Sequence, residues 1–292
     1  MRIPNIILQQ RTLEGIQSNL REVDRAAREI ASGRRISAPS DDPAAARSIL
    51  RTNSSLQANE QFARNISSAR TLLDLEDVAL QQMGDVLSRG REIALSQGGS
   101  TASTESRAVA AREVDGLVEF LRDLANTRLG ERYIFGGVDA TSPPIPADGD
   151  PPPPLPEGEL AVEIAPGRTT LVNHSASQIF GATGALEALE DLARALRDDD
   201  GEVIRAGDGA LSWAHAQVQV LVGETGSRMS RLDLAASRLD AMDLTLAEYR
   251  SDLENVDFEE AISRMANRQA AYQGALLATS KLLSVNLVDY LR

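Results

Sequence analysis

The amino-acid sequence predicts a mainly α-helical fold with a small β insertion, arranged as an elongated bundle with paired N- and C-terminal coiled-coil helices. Apolar residues recur at steps of three and four near both ends of the chain. Eight of the twelve prolines lie between residues 143 and 156, which leaves long proline-free stretches on both sides for uninterrupted helices. An aromatic content of 3% suits slender helices better than a thick globular core.

The two terminal helices carry the most informative pattern. The N-terminal stripe includes Ala27, and the C-terminal stripe includes Phe258, Gln269 and Thr279. Each stripe forms one narrow apolar seam, and two such helices alone bury too little surface to make a self-sufficient domain. We therefore expect other copies of the chain to cover them. The predicted assembly interface consists of Leu13, Ile16, Leu20, Val23, Ile30, Ile262, Met265, Tyr272, Leu276 and Leu283.

The remaining elements follow from stop and start signals. The first helix should run from Asn5 to Ser32 and end at Gly33, and a second should begin at Pro43 behind an Asp42 cap and reach about residue 96. Further helices are expected near 103–129, 183–196 and 208–255, and Asp257 with Glu260 should start the last helix as a capping box. Alternating apolar residues at 160–164 and 171 predict a β-hairpin.

This layout predicts three parts. Residues 1–42 and 256–292 would form a terminal helical assembly domain, 43–137 and 181–255 a helical rod domain, and 138–180 a small β-containing surface insertion. The proline-rich stretch at 143–156 reads as a linker within the insertion.

Several function classes are disfavoured by composition. The chain has no cysteine, which excludes disulfides and thiolate metal sites, and its net charge of −13 argues against nucleic-acid binding. Its only histidines, His174 and His215, lack a nearby nucleophile motif, and Asp41 beside Asp42 is better explained as a helix start than as an acid–base pair. We therefore expect no enzyme activity, cofactor, metal site or membrane insertion.

Two segments resemble a known family. Residues 27–47 read AREIASGRRISAPSDDPAAAR, which is similar to the N-terminal signature of bacterial flagellins and hook-associated proteins, where a glycine-containing turn precedes an acidic helix start. Residues 252–291 resemble the matching C-terminal region. With the striped helices, the resemblance covers nearly all of the chain outside residues 138–180.

Some details are closer to hook-associated members than to filament flagellins. Prolines flank the acidic pair in the segment Pro39–Pro43, and the Tyr133–Gly137 segment follows Ala125 and Asn126. The ending at 286–291 and the Gly-Ser-Arg-Met segment at 226–229 also depart from the usual flagellin pattern.

The resemblance implies a structural role in the flagellum with a flagellin-like fold. It implies export through the flagellar type III apparatus without a cleaved signal peptide, aided by an export chaperone, and terminal helices that become ordered on assembly. The implied partners are further copies of the chain, a neighbouring hook-associated protein and flagellin, met in a ring where hook joins filament. A subunit of the filament itself is an alternative, and a cytosolic coiled-coil adaptor is a third interpretation.

Overall fold

A computed structural model describes residues 5–100, 102–138, 140–146 and 154–290, with side chains described from 10 to 280 within those ranges. It confirms the predicted mainly helical fold with a small β insertion. The elements in chain order are α1 (Asn5–Ser32), α2 (Pro43–Gln97), α3 (Thr104–Ala125), β1 (Arg128–Leu129), β2 (Arg132–Tyr133), β3 (Ala161–Ala165), β4 (Arg168–Leu171), a π-helical turn (Ser177–Gly181), α4 (Ala185–Arg197), α5 (Gly201–Glu254) and α6 (Phe258–Tyr290).

The helix starts predicted from capping residues are confirmed at two places. The Asp42 carboxylate accepts hydrogen bonds from the backbone N–H groups of Ala44 and Ala45, and Pro43 occupies the first helical position. Asp257 accepts in the same way from the N–H groups of Glu259 and Glu260 at the start of α6.

The predicted end of α3 at residue 129 is wrong by four residues. The helix stops at Ala125 because the side chain of Asn126 both donates to and accepts from the backbone of Ile145, which draws the chain away from the helix axis. The next residues form the antiparallel pair β1–β2 around Gly130, with the guanidinium of Arg128 5.0 Å from the centre of the Tyr133 ring. Two-residue strands leave too little alternation to be recognised in a sequence.

The predicted start of α5 at Asp208 is also wrong, since the helix begins at Gly201. The Asp200 carboxylate accepts from the N–H groups of Glu202 and Val203, so the acidic turn read as a helix stop is also the cap of the next helix. Glycines at 201, 207 and 209 masked the helical pattern.

The predicted β-hairpin is confirmed as β3–β4, paired antiparallel with an irregularity between Glu163 and Ala165. Val162 and Ile164 of β3, with Val172 just after β4, pack against apolar residues of α2 and α5. The insertion is therefore fastened to the helices by its own apolar face. The expected linker is partly packed as well, because Leu155 lies against the main core.

The chain divides into two compact units, Met1–Gln57 with Met242–Arg292, and Ala58–Ala241. Both boundaries fall inside the long helices α2 and α5. The three-part division expected from the sequence stays a prediction. Both clusters of buried apolar residues, which span residues 79–218 and 66–239, lie within the second unit.

Candidate assembly surface on the terminal helices

The unit formed by the two chain ends is held together at the turns that follow α1 and precede α6. The backbone N–H of Val256 donates to the carbonyl of Gly33 at 3.0 Å, and that of Arg35 donates to the carbonyl of Glu254 at 2.7 Å. The Arg34 guanidinium pairs with the Glu254 carboxylate at 2.8 Å. This joint fixes where the two terminal helices begin to run beside each other.

The two aspartates of the signature segment have separate structural tasks. The Asp41 carboxylate accepts from the backbone N–H groups of Ser37 and Ala38, and Asp42 caps α2. Hydrogen bonds from Ala38 and then Ser37 lower the pKa of Asp41, and those from Ala45 and Ala44, with the charge of Arg35, lower the pKa of Asp42. The pair therefore shapes the loop between α1 and α2 and is not an acid–base couple.

The helices α1 and α6 pack against each other, as predicted. Among the described side chains of α1 and α6, Ala26 and Ala261 are the most buried, with exposures of 7% and 0%. The two most buried positions of the pair each lie one residue away from a position of the predicted stripe.

Because the buried side of the pair lies one residue away from the predicted stripe, the ten predicted interface residues fall into two sets. Ile16, Val23, Ile30, Met265 and Tyr272 are half-buried in the helix pair. Leu13, Leu20, Ile262 and Leu276 remain 53%, 50%, 54% and 42% exposed. Leu283 lies on α6 beyond the residues whose side chains the structure describes.

The exposed set gives the pair a second apolar stripe on its outer side. Phe258, four residues before Ile262, adds to it with an exposure of 52%. Single exposed leucines are ordinary on protein surfaces, but a repeated stripe along two neighbouring helices is typical of a surface that a further protein covers.

The other unit contains a buried charged cluster that sequence reasoning missed. Glu76 on α2 and His174 after β4 are 0% and 1% exposed, and the ring Nδ1 of His174 lies 2.5 Å from Glu76 Oε1. The ring Nε2 lies 3.2 Å from Glu224 Oε2 on α5, and the hydroxyl of Thr225 donates to Glu76 Oε1. No local motif signals this cluster, because its members are 98 and 50 positions apart.

The surroundings of His174 favour its protonated form. Burial acts most strongly and lowers its pKa, but the hydrogen bond and charge of Glu76, helped by Glu224, outweigh burial and raise the pKa overall. A carboxylate faces each ring nitrogen, so only the doubly protonated ring donates to both. The cluster joins the end of the hairpin to α2 and α5.

A cavity of about 250 Å³ lies where α2 meets β2, β3 and the residues that follow β4. Its walls are mainly apolar. The two asparagines that line it form hydrogen bonds within the chain: Asn65 donates to the carbonyl of Glu163, and Asn173 accepts from the N–H of Leu160. In the described part of the chain, no cluster of three metal-ligating side chains occurs and no helix is long and apolar enough to cross a membrane.

Two family models of bacterial flagellins match the terminal helical regions of the chain. Residues 3–140 match the model of the bacterial flagellin N-terminal helical region, and residues 209–291 match that of the C-terminal helical region. Flagellar hook-associated protein 3 of Salmonella typhimurium is 25% identical over 98% of both chains, and a flagellin of Listeria innocua is 28% identical over 96% of this chain and 95% of that one.

A solved structure shares the fold. The flagellar junction protein FlgL of Legionella pneumophila superimposes with a TM-score of 0.58 at 14% identity, covering 71% of this chain and all of that one. The proteins similar to this chain are structural components of flagella and not enzymes. The matched terminal regions include both helices of the assembly surface, and the chain therefore belongs to the bacterial flagellin family as a structural protein of the flagellum.

Proposed function

We propose that this chain is the hook-associated protein of the hook–filament junction and that it assembles there through α1 and α6. The observation that carries self-assembly is the outer apolar stripe of Leu13, Leu20, Ile262 and Leu276, which the chain leaves exposed. Covering such side chains gains about 25 cal/mol for each Å² removed from water. Repetition of the contact around a closed ring adds to that gain.

The junction position is supported by two of the relatives, both named hook-associated protein 3. The Salmonella and Escherichia coli matches to hook-associated protein 3 each cover 98% of both chains, so the insertion is included and not only the terminal helices. The expected neighbours are a second hook-associated protein on one side and flagellin on the other. We further propose extracellular assembly after export without a cleaved signal peptide, with an export chaperone holding the terminal helices beforehand.

A filament subunit is the second candidate, because the flagellins of Listeria also match over 95% of their length. Immunogold labelling of intact flagella with antibody to the hairpin segment 161–171 separates the two. The proposal expects a single band where the hook meets the filament. Label along the whole filament would make the chain a flagellin, and its restriction to the cytoplasm would leave only the adaptor interpretation.

A further inference from the structure

The second unit carries a basic groove that contrasts with the acidic character of the whole chain. The groove has a volume of about 440 Å³ and lies between β4 and α5, lined by Arg168, Arg231 and Arg238 with Ile164 and Leu234. Its lining includes no carboxylate among the residues that the structure describes. We call these five residues the arginine groove.

The three arginines of the groove have no carboxylate partner among the described residues. All three are exposed, and in the described ranges none lies within ion-pair distance of a carboxylate. The guanidinium of Arg231 reaches only the hydroxyl of Ser227, at 3.3 Å. By contrast, the side chain of the neighbouring Arg228 is 11% exposed and pairs with Glu159 at 2.6 Å. Its charge is therefore already paired within the chain.

An apolar residue completes the groove. Arg231, Leu234 and Arg238 follow one another at steps of three and four, so they lie on one face of α5. Leu234 is 70% exposed between the two arginines. The surface therefore fits a partner segment that has an exposed apolar side chain next to negative charges.

The chain itself offers such a segment on α3. Phe120 is 44% exposed, and the carboxylates of Glu119 and Asp123 beside it are exposed. In the described part of the chain, neither carboxylate lies within ion-pair distance of a cation, whereas Glu113 pairs with Arg89 and Asp115 with Arg197. We call Glu119, Phe120 and Asp123 the acidic ridge.

We propose that the arginine groove of one copy receives the acidic ridge of the next copy. This inference rests on the proposed self-assembly and specifies how the second unit takes part in it. Phe120 would contact Leu234, and Glu119 and Asp123 would pair with the guanidinium groups around it. Because groove and ridge are different surfaces, the contact is head-to-tail and generates a ring when its rotation closes.

Crosslinking in isolated flagella tests the contact, because the natural chain has no cysteine to interfere. One cysteine replaces Ser237, which is exposed on α5 near the groove, and another replaces Gly116, where a side chain meets no atom within 4 Å. A short bismaleimide should convert the double variant Gly116→Cys/Ser237→Cys into dimers, trimers and larger species. Each single-cysteine variant should stay monomeric.

Charge reversal provides the matched control. Arg231→Glu with Arg238→Glu, or Glu119→Arg with Asp123→Arg, should each lower the crosslink yield about tenfold or more in the double-cysteine chain. Combining both reversals in one chain should restore the yield, since the charges again oppose each other. Circular dichroism and thermal unfolding of the purified variants should match those of the parent.

The outcomes also separate this inference from the proposed function. Label at the junction without crosslinks in the double-cysteine chain would overturn the groove–ridge contact and leave the junction role standing. Dimers from a single-cysteine chain would indicate a twofold contact and overturn the head-to-tail arrangement. If the chain is absent from flagella altogether, both proposals are wrong.

Discussion

At the scale of single residues, the Glu76–His174 pair shows how a buried charge is accommodated. Each oxygen of the Glu76 carboxylate accepts a hydrogen bond, Oε1 from the hydroxyl of Thr225 and Oε2 from the backbone N–H of His174. Removing one member of such a pair leaves the other charge uncompensated, which costs about 3–5 kcal/mol. The pair is thus an attachment point between the hairpin and the helices.

The first prediction concerns pH. Because the pKa of His174 is raised on folding, the stability that it contributes is complete below about pH 6.5, its unfolded value, and is lost as pH rises through the folded pKa. The groups facing the ring are Glu76 on α2 and Glu224 and Arg228 on α5. Urea unfolding of the full chain between about pH 6 and 9 should show this alkaline decline.

His174→Gln should remove most of that decline and lower stability at about pH 6. His215→Gln is the control, because His215 is half-buried on α5 and lies outside the Glu76–His174 cluster. If the parent and the His174→Gln chain show the same pH dependence, His174 is not charged in the folded chain. The interpretation of His174 as a buried charged group is then wrong.

The second prediction compares two glycines with the same backbone conformation. Gly130 and Gly137 have φ values of +64° and +63°, but a Cβ at Gly130 would meet no atom within 4 Å, whereas one at Gly137 would overlap the carbonyl of Glu157. Gly130→Ala should cost about 1–2 kcal/mol from the left-handed backbone alone. Gly137→Ala should cost more, and equal unfolding midpoints would contradict the close packing of Gly137.

At the scale of helices, the two sides of the α1–α6 pair have different roles. The inner side, with Ala26 and Ala261, joins the helices, and the outer side exposes Leu13, Leu20, Ile262 and Leu276. An added charge on the outer side would cost little in the single chain, because water still reaches these half-exposed positions. It would have to lose that water when another copy covers the stripe.

The third prediction follows from this division. Leu20→Asp, or Leu276→Asp, should prevent incorporation into flagella and leave a soluble chain with unchanged helical content. Ser18→Asp is the control, since Ser18 is exposed on the same helix about 160° away from Leu20. The measurements are the amount of chain in purified flagella and the circular dichroism of the purified chain. Normal incorporation of Leu20→Asp would contradict the role of the stripe.

The helices show why some elements could be predicted from sequence and others could not. The bounds of α1 and the start of α2 follow from local signals: periodic apolar residues, Gly33 and the Asp42–Pro43 pair. The end of α3 depends on Asn126 binding Ile145, nineteen positions away. The stripe residues were predictable as apolar, but which of them face the neighbouring helix depends on how each helix is rotated about its own axis, which a local apolar pattern does not fix.

At the scale of the whole molecule, apolar burial is distributed unevenly between the units. The large fully buried side chains, such as Leu80, Phe135 and Leu189, all belong to the unit Ala58–Ala241. In the described part of the terminal unit, the buried apolar residues are four alanines with Ile36 and Val256. Burying an alanine contributes little, so this unit has only a small reserve of stability in a single chain.

The last prediction is that the two units differ in protection from hydrogen exchange. In the isolated chain, amides of α1 and α6 should exchange within seconds to minutes, because opening these helices exposes little apolar surface. Amides of α3 and α4, which pack against each other within the main core, should be protected far longer. In assembled flagella, α1 and α6 should become protected, since neighbouring copies then cover Leu13, Leu20 and the rest of the stripe. Slow exchange of α1 and α6 already in the isolated chain would mean that the terminal pair is stable alone, and the energetic reason for assembly through it would be lost.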